Sequence, residues 1–199
     1  MSKTSVKISM ISPPGDVVAP ERFSTSDQPS GVPQVFLDAR LVRVKVFCDE
    51  QKCPLEEEID DDDQRSWHWV AYLPDSSGTD VPVSVLRMVP FPHEPHPNGY
   101  SDPDEEPYFK IGRVATLASA RGKGISRKLS EEAFGWLATH QSELPSGWKG
   151  LVLSHAQVDV EQMYEKLGFV TDVKLGRWDE VGIEHLAMWK RLPTLEAHN

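Results

Sequence analysis

The sequence predicts a mixed α/β fold in which one sheet is flanked by helices. Segments with alternating or continuous apolar residues, typical of strands, are interspersed with segments whose apolar residues recur every three or four positions, typical of helices. Their order is strand, helix, three strands, helix, strand, helix and two strands, which indicates a mixed sheet. With 199 residues, 39% of them hydrophobic, the chain suits one domain with a sizeable core.

The first half of the chain supplies a strand, a helix and a hairpin. Residues 6–10 alternate and predict a strand, which a polar loop at 24–33 separates from the next element. Over residues 36–50 apolar residues recur at spacings of four, three and four, as on one face of a helix. Two segments rich in β-branched and aromatic residues, 66–73 and 81–89, flank a turn sequence and predict an antiparallel hairpin.

The second half begins with a proline-rich stretch at residues 90–107 that contains six prolines and few apolar residues. It predicts a long loop inserted in the domain. The remaining predicted elements are a strand at 108–117, a helix at 126–140, a strand at 150–156, a helix at 158–168, and a closing hairpin that pairs 169–178 with 182–192.

Composition restricts the function classes. A formal net charge of −10 and a pI of about 5.1 disfavour nucleic acid and anionic membranes as partners and favour a cationic one. Cys48 and Cys53 form neither a disulfide framework nor a zinc motif, and the histidines of the insertion, His93 and His96, lack further ligands nearby, so we expect no metal. Without a long apolar run, the sequence is expected to be that of a soluble cytoplasmic protein.

A basic turn punctuated by glycines lies between the strand at 108–117 and the helix at 126–140. Its sequence, RGKGIS, covers Arg121 to Ser126. Such a turn directs free backbone N–H groups and the positive end of the helix dipole to one point, which suits phosphate. Because neither GxxxxGK[ST] nor GxGxxG is present, the turn alone is equally compatible with a tight connection that binds no ligand.

Two spaced motifs resemble those of the GNAT superfamily of acyl-CoA-dependent N-acetyltransferases. The first is R/Q-x-x-G-x-G/A, matched by Arg121 and Gly124, with Ser126 in place of the last small residue. The second is the A-x-x-x-A-x-x-F-Y-x-K-x-G-F segment, which is similar to AQVDVEQMYEKLGFV. Its matching residues are Tyr164, Lys166, Gly168 and Phe169. The segments VFCDEQKCP and GIEHLAM also resemble V-F-x-x-E-Q-x-x-P and G-I-x-H-x-x-M of a small-molecule-type subgroup.

The resemblance covers roughly residues 35–190 and implies a GNAT-like fold. In this fold a mostly antiparallel, twisted sheet of about seven strands is splayed between strands 4 and 5 and flanked by about four helices. The chain is accordingly expected to be a single N-acetyltransferase domain, 1–199, with its core at 35–190 and the insertion at 90–107.

The resemblance also implies acetyl-CoA as co-substrate. Its pyrophosphate is expected on the backbone of the turn, at Arg121, Gly122, Lys123, Gly124, Ile125 and Ser126. Its pantetheine arm is expected along the preceding strand, at Val114, Ala115 and Thr116, as an added strand would lie. A backbone N–H there can stabilise the developing oxyanion.

Acetyl transfer to an amine needs a proton acceptor and a proton donor. Tyr164 matches the family's general acid, and a phenol near pKa ~10 can protonate a thiolate near ~8.5; the alternative is a core tyrosine. Glu50 is the first choice of general base, although a solvated carboxylate at a helix end is the alternative. His155 and His185 are further candidates for the base or, with Gln157, for contacts to the acceptor.

The predicted function is acetyl transfer to a primary amine on a small, cationic or amino-sugar-like acceptor by direct attack in a ternary complex. The seven acids between Glu56 and Asp63 could concentrate a cationic amine, although acid runs are usually solvated. A protein or peptide N-acetyltransferase and a non-catalytic acyl-CoA-binding module are the alternatives. The chain is expected to be a monomer or a homodimer.

Overall fold

The fold is given by a computed structural model that describes residues 5–24 and 28–194. The centre of the loop predicted at 24–33 lies outside these residues. The chain divides into two compact units. The first consists of Met1–Val89 and Arg113–Ser130, and the second of Pro90–Gly112 and Glu131–Asn199.

The first unit is built from an antiparallel meander and helices. Its elements are β1 (Lys7–Ile11), α1 (Gln34–Arg43), a π-helix (Val44–Glu50) that continues α1, α2 (Asp62–Arg65), β2 (Trp67–Pro74) and β3 (Asp80–Val89). In the antiparallel ladders Ser9 lies opposite Val70, and Val70 lies opposite Val85. The predicted first strand, helix and hairpin are thereby confirmed.

The core of the first unit lies between α1 and the sheet. Ala39, Val42 and Val46, spaced three and four residues apart, are buried on one face of the helical segment. They pack against Val70 and Val85 of the two central strands. Burial of this stripe therefore fixes α1, and with it the π-helix, on the meander.

The second unit is built around the remaining strands. The elements are β4 (Phe109–Thr116) and α3 (Ile125–Thr139), each of which has one end in either unit, then β5 (Leu151–Gln157), α4 (Glu161–Lys166), β6 (Val170–Thr171), β7 (Arg177–Glu180) and β8 (Ile183–Arg191). The strand order is β4, β5, β8, β6, and β7 also pairs with β8. Every ladder to β8 is antiparallel. The predicted α/β class, with a mostly antiparallel sheet, is confirmed.

The pair β4 and β5 is parallel and short. Phe109 lies opposite Val152 and Ile111 opposite Ser154, and the ladder ends there although β4 continues to Thr116. The parallel ladder therefore covers only the first three residues of β4.

The closing hairpin differs from the prediction in its first arm. The segment expected as one strand, 169–178, is divided into β6 and β7, and both pair with β8. Between them the Asp172 carboxylate accepts the N–H of Lys174 at 2.9 Å, and Gly176 has a φ of +65°. Residues 172–176 therefore form a loop that leaves the ladder opposite Met188, buries Leu175 and rejoins the ladder opposite Leu186 in the same direction, so the arm is not a single strand.

The insertion at 90–107 packs against the sheet of the second unit. The His93 ring stacks on Tyr108 with 4.3 Å between ring centroids. The Asn98 amide donates a hydrogen bond to the carbonyl of Leu175, and Glu106 forms an ion pair with Arg191. The insertion is therefore anchored at its beginning, middle and end.

Candidate active site

The turn that follows β4 has the backbone expected of a phosphate-binding loop. Gly122 and Gly124 both have a φ of +72°, a left-handed conformation that residues with a Cβ atom rarely adopt. Apart from the glycine itself and its two chain neighbours, no described residue has an atom within 4 Å of an ideal Cβ atom at either glycine, so the space beside both is open. The N–H of Lys128 bonds to the carbonyl of Gly124 at 3.0 Å, which begins α3. The turn thus leads into the N-terminus of α3, the end of a helix that suits phosphate.

The two cationic side chains of the turn fold back onto the chain. Lys123 Nζ donates to the carbonyl of Ser119 at 2.8 Å, and Arg121 Nε donates to the carbonyl of Thr116 at 2.9 Å. Arg121 Nη2 also donates to Glu50 Oε2 at 2.5 Å. Two residues that the sequence assigns to different tasks, the cofactor residue Arg121 and the base candidate Glu50, are therefore in direct contact.

The end of β4 has one edge bonded to β3. The Leu117 N–H bonds to the carbonyl of Val83 at 2.9 Å, and Ser84 Oγ donates to the carbonyl of Ala115 at 3.0 Å. Because successive residues of a strand direct their backbone groups to opposite edges, the N–H and C=O of Thr116 face away from β3. Val114 and Thr116 thus present the edge on which the sequence places the pantetheine arm.

Glu50 is the last residue of the π-helix. The N–H of Gln51 reaches the carbonyl of Val46 at 3.1 Å, five residues earlier, instead of a carbonyl four residues earlier. Such wide turns are rare and occur frequently at functional sites. The extra residue rotates the end of the helix, and the half-exposed Glu50 carboxylate meets Arg121.

Tyr164 lies on α4 and is buried. The ring meets Phe169 edge-on, with centroids 5.4 Å apart. The N–H of Phe169 closes the helix on the carbonyl of Tyr164 at 3.0 Å, and Gly168 takes the left-handed conformation at a φ of +85°. Burial raises the pKa of the Tyr164 phenol, and the neighbouring Ser154 side chain opposes this shift only in part. The phenol is therefore protonated at neutral pH, as a general acid must be.

The predicted acceptor residues lie on β5 and β8. Gln157 pairs with His185, and His155 lies two residues before Gln157 on the same sheet face. Burial, followed by the charge of Lys110 and the neighbouring histidines, lowers the pKa of His155 to about 2, so its imidazole is neutral. Its Nε2 is buried and has no hydrogen-bond partner among residues 5–24 and 28–194.

Two further residues of this group are absent from the sequence prediction. Trp178 packs edge-on against His155 with 4.8 Å between centroids. The Glu180 carboxylate has one oxygen 3.9 Å from His155 Nδ1 and the other 3.9 Å from His185 Nε2. Both stand on β7, where Trp178 lies opposite His185. Trp178 and Glu180 are two residues apart and therefore share the face of the closing hairpin on which His185 lies. This alternation along β7 is the signal that could have identified them.

Known proteins share the fold of this chain, although no family model matches it. An acyl-CoA N-acyltransferase from Pseudomonas aeruginosa has the same fold, with a TM-score of 0.62 and 21% identity over 94% of this chain and 99% of that one. YjcF of Bacillus subtilis, described as an uncharacterized N-acetyltransferase, is 29% identical over 77% of this chain and 90% of its own length.

A third comparison decides the family. UPF0039 protein Mb2876c of Mycobacterium bovis is 31% identical over 160 residues, which cover 76% of this chain and 85% of the relative. The chain belongs to the GNAT superfamily, among the UPF0039 proteins. The family and the enzyme class predicted from the two motifs are confirmed, and acyl-CoA is the co-substrate of this class.

The acidic segment of this GNAT protein is largely structural. Asp63 is fully buried and accepts hydrogen bonds from Arg43 Nη1 and Arg87 Nη1, each at 2.7 Å. Asp60 bonds to Arg87 Nη2 at 2.7 Å and to Arg113 Nη2 at 2.9 Å, and Glu58 forms a buried ion pair with Arg43. Asp62 also pairs with Arg65, at 2.7 Å, so four of the seven acids between Glu56 and Asp63 neutralise arginines.

The pKa values of these carboxyls follow their partners. Burial alone raises the pKa of Asp63, but the charges of Arg43 and Arg87 outweigh it and hold the pKa well below its usual range. The pKa of Asp60 is also lowered, because Arg87 outweighs burial. Burial dominates at Glu58 and raises its pKa in spite of Arg43.

Within 5–24 and 28–194, no three His, Cys, Asp or Glu side chains are grouped so that they could hold a metal ion. Cys48 and Cys53 are free thiols. In the same ranges no helix has the length and apolarity needed to cross a bilayer.

Proposed function

We propose that this GNAT protein transfers the acetyl group of acetyl-CoA to the primary amine of a small, cationic or amino-sugar-like acceptor by direct attack in a ternary complex. The observation that carries the proposal is the turn after β4. Two left-handed glycines open space beside the first amides of α3, and the adjacent strand presents the backbone of Thr116 away from β3. A diphosphate followed by an amide-bearing arm is the ligand that fits both features.

The turn and the adjacent strand β4 bind different parts of the cofactor. Amides of Gly122 to Ser126 hold the pyrophosphate, and Lys123 adds positive charge. Val114 and Thr116 bond to the amides of the pantetheine arm through the backbone groups that face away from β3. A backbone N–H of β4 then bonds to the thioester oxygen and stabilises negative charge as it develops.

The chemical step moves two protons. The amine nitrogen forms a bond to the thioester carbon, and the carbonyl electrons move to oxygen, which gives a tetrahedral intermediate. Glu50 accepts a proton from the acceptor nitrogen, directly or through water. When the carbonyl re-forms, the carbon–sulfur bond breaks, and Tyr164 donates its proton to the departing thiolate, since burial keeps the phenol protonated until then.

The acceptor is assigned to the group of His155, Gln157 and His185 with Glu180 and Trp178. A carboxylate beside an aromatic ring suits an ammonium or an amino sugar, since the ring face also attracts cations. Neutral His155 has a lone pair for a donor such as an N–H or O–H of the acceptor. The site therefore favours a small polar cation.

The proposal is tested by measuring release of CoA thiol from acetyl-CoA with a panel of amino sugars, polyamines and arylalkylamines, and with lysine-containing peptides. We expect acceptor-dependent thiol release with at least one small amine and none with peptides. Activity confined to peptides would assign the protein to peptide N-acetylation, and CoA binding without release on any amine would assign it to the non-catalytic class.

The acceptor site is tested with the best amine from that panel. Glu180→Gln is expected to raise the KM for a cationic amine about tenfold, the effect of one lost charge-assisted contact, with the KM for acetyl-CoA unchanged. Glu184→Gln is the matched control, because Glu184 is an exposed neighbour paired with Arg177. Equal effects of the two variants would remove Glu180 from the site.

A further inference from the structure

Arg121 bridges two groups that the proposed reaction requires to be free. Its Nε bonds to the carbonyl of Thr116 at 2.9 Å, and its Nη2 bonds to Glu50 Oε2 at 2.5 Å. The guanidinium thus bonds to the strand edge that is proposed to bind pantetheine. It also bonds to the carboxylate that is proposed to accept a proton from the acceptor. All three residues belong to the first unit, so the bridge is internal to it.

Neither contact is required by the fold around it. The side chains of Arg121 and Glu50 are 47% and 38% exposed, so the bridge lies at the surface and not in the core. Buried ion pairs elsewhere in this unit, such as Arg43 with Asp63, are fully enclosed. An exposed ion pair contributes little to stability, and a competing ligand can therefore exchange with it.

The turn offers Arg121 a competing partner when cofactor is bound. The pyrophosphate that the amides of Gly122 and Gly124 would hold carries more negative charge than a carboxylate and accepts two parallel hydrogen bonds from a guanidinium. A pantetheine amide N–H can at the same time donate a hydrogen bond to the carbonyl of Thr116 and so replace Arg121 there. Bound CoA would thus replace both hydrogen-bond partners of Arg121, Glu50 and the carbonyl of Thr116.

We propose that Arg121 exchanges partners when acetyl-CoA binds, from Glu50 and Thr116 to the pyrophosphate, and is thereby the positioning residue that keeps the Glu50 carboxylate engaged until the cofactor is present. This inference rests on the proposed function. It predicts that Glu50 and the cofactor compete for one guanidinium. By thermodynamic linkage, the factor by which the Glu50–Arg121 pair weakens CoA binding equals the factor by which bound CoA weakens that pair.

The competition is measured with CoA as the probe, by isothermal titration calorimetry of the full chain. Glu50→Gln is expected to bind CoA about two- to fivefold more tightly than wild type, the range expected for release of one exposed ion pair. Arg121→Gln is expected to bind CoA more weakly. In the Arg121→Gln background, Glu50→Gln is expected to have no further effect, because the shared partner is gone.

Asp49→Asn is the matched control for general electrostatics. Asp49 is the exposed neighbour of Glu50, and its removal eliminates one negative charge at nearly the same place. Equal tightening by Asp49→Asn and Glu50→Gln, or unchanged or weaker binding in Glu50→Gln, would overturn the exchange. Tightening by Glu50→Gln that persists in the Arg121→Gln background would also overturn it. If wild type binds no CoA, the proposed function itself fails, which distinguishes the two.

Discussion

Tyr164 and His155 show how burial gives two polar residues of the second unit different chemistry. Burial disfavours the charged form of either side chain, so it raises the pKa of the phenol and lowers that of the imidazole, to about 2. Tyr164 therefore retains a proton that it can donate. His155 is neutral and too weak a base to take a proton from an ammonium near ~10, which supports a hydrogen-bonding role for it, while Glu50 and His185 stay the candidate bases.

The acid role of Tyr164 is tested by Tyr164→Phe. We expect kcat to fall about 100-fold, the usual contribution of a general acid, with the Kd for CoA unchanged by calorimetry. Tyr72→Phe is the control, because it also removes a hydroxyl from a buried tyrosine, one that donates to Asp38 at 2.8 Å in the first unit. A Tyr164→Phe enzyme with wild-type kcat would show that the tyrosine serves only the core.

At the scale of elements, the turn before α3 depends on backbone conformation more than on side-chain space. An ideal Cβ atom at Gly124 contacts nothing within 4 Å, yet the φ of +72° is unfavourable for every other residue. A substitution there changes the direction of the amides that are proposed to hold pyrophosphate. Affinity for CoA is therefore expected to respond more than stability does.

We expect Gly124→Ala to lower the free energy of unfolding by about 1 kcal/mol and to weaken CoA binding at least about tenfold. Gly135→Ala supplies the control within the same helix: it is exposed, has no positive φ, and has the same open space around its Cβ position. There the substitution is expected to stabilise α3 by about 0.5–1 kcal/mol and leave CoA binding unchanged. Thermal denaturation and calorimetry measure both quantities, and parallel behaviour of the two variants would remove Gly124 from the cofactor site.

The sequence predicted those elements whose cause is local. Periodicity located α1 and α3, although the spacings of four, three and four begin at Leu37 and include Leu41, which is 47% exposed, whereas the buried face of α1 is that of Ala39 and Val42. The glycines of the turn and of EKLGF indicate backbone conformations that few residues can adopt. The π-helix was not predictable, because one extra residue in a helical turn leaves the apolar spacing almost unchanged. Glu180 and Trp178 were missed for a different reason, since their proximity to His155 arises from strand pairing between distant segments.

At the scale of the whole molecule, the net charge of −10 overstates how much unpaired negative charge the acidic segment between Glu56 and Asp63 carries. Asp60, Asp63 and Glu58 are partners of Arg43, Arg87 and Arg113 inside the first unit, so the acids that remain exposed there are Glu56, Glu57 and Asp61. A cationic acceptor is therefore attracted less by this segment than the composition suggests. The segment's larger effect is on folding, because buried arginines without these carboxylates would be uncompensated charges.

Asp63→Asn should consequently destabilise the protein by about 3–5 kcal/mol at neutral pH, since it leaves Arg43 and Arg87 without their shared carboxylate. The folded-state pKa of Asp63 is depressed, so its stabilisation is complete above the unfolded pKa near ~4 and is lost as pH falls through the lower folded value. The difference between wild type and variant in urea unfolding should therefore be constant from about pH 7 to about pH 5 and shrink below about pH 4. Asp61→Asn, an exposed neighbour, is expected to change stability by less than about 0.5 kcal/mol throughout. A difference that disappears already near neutral pH would mean that Asp63 is not the charged partner of these arginines.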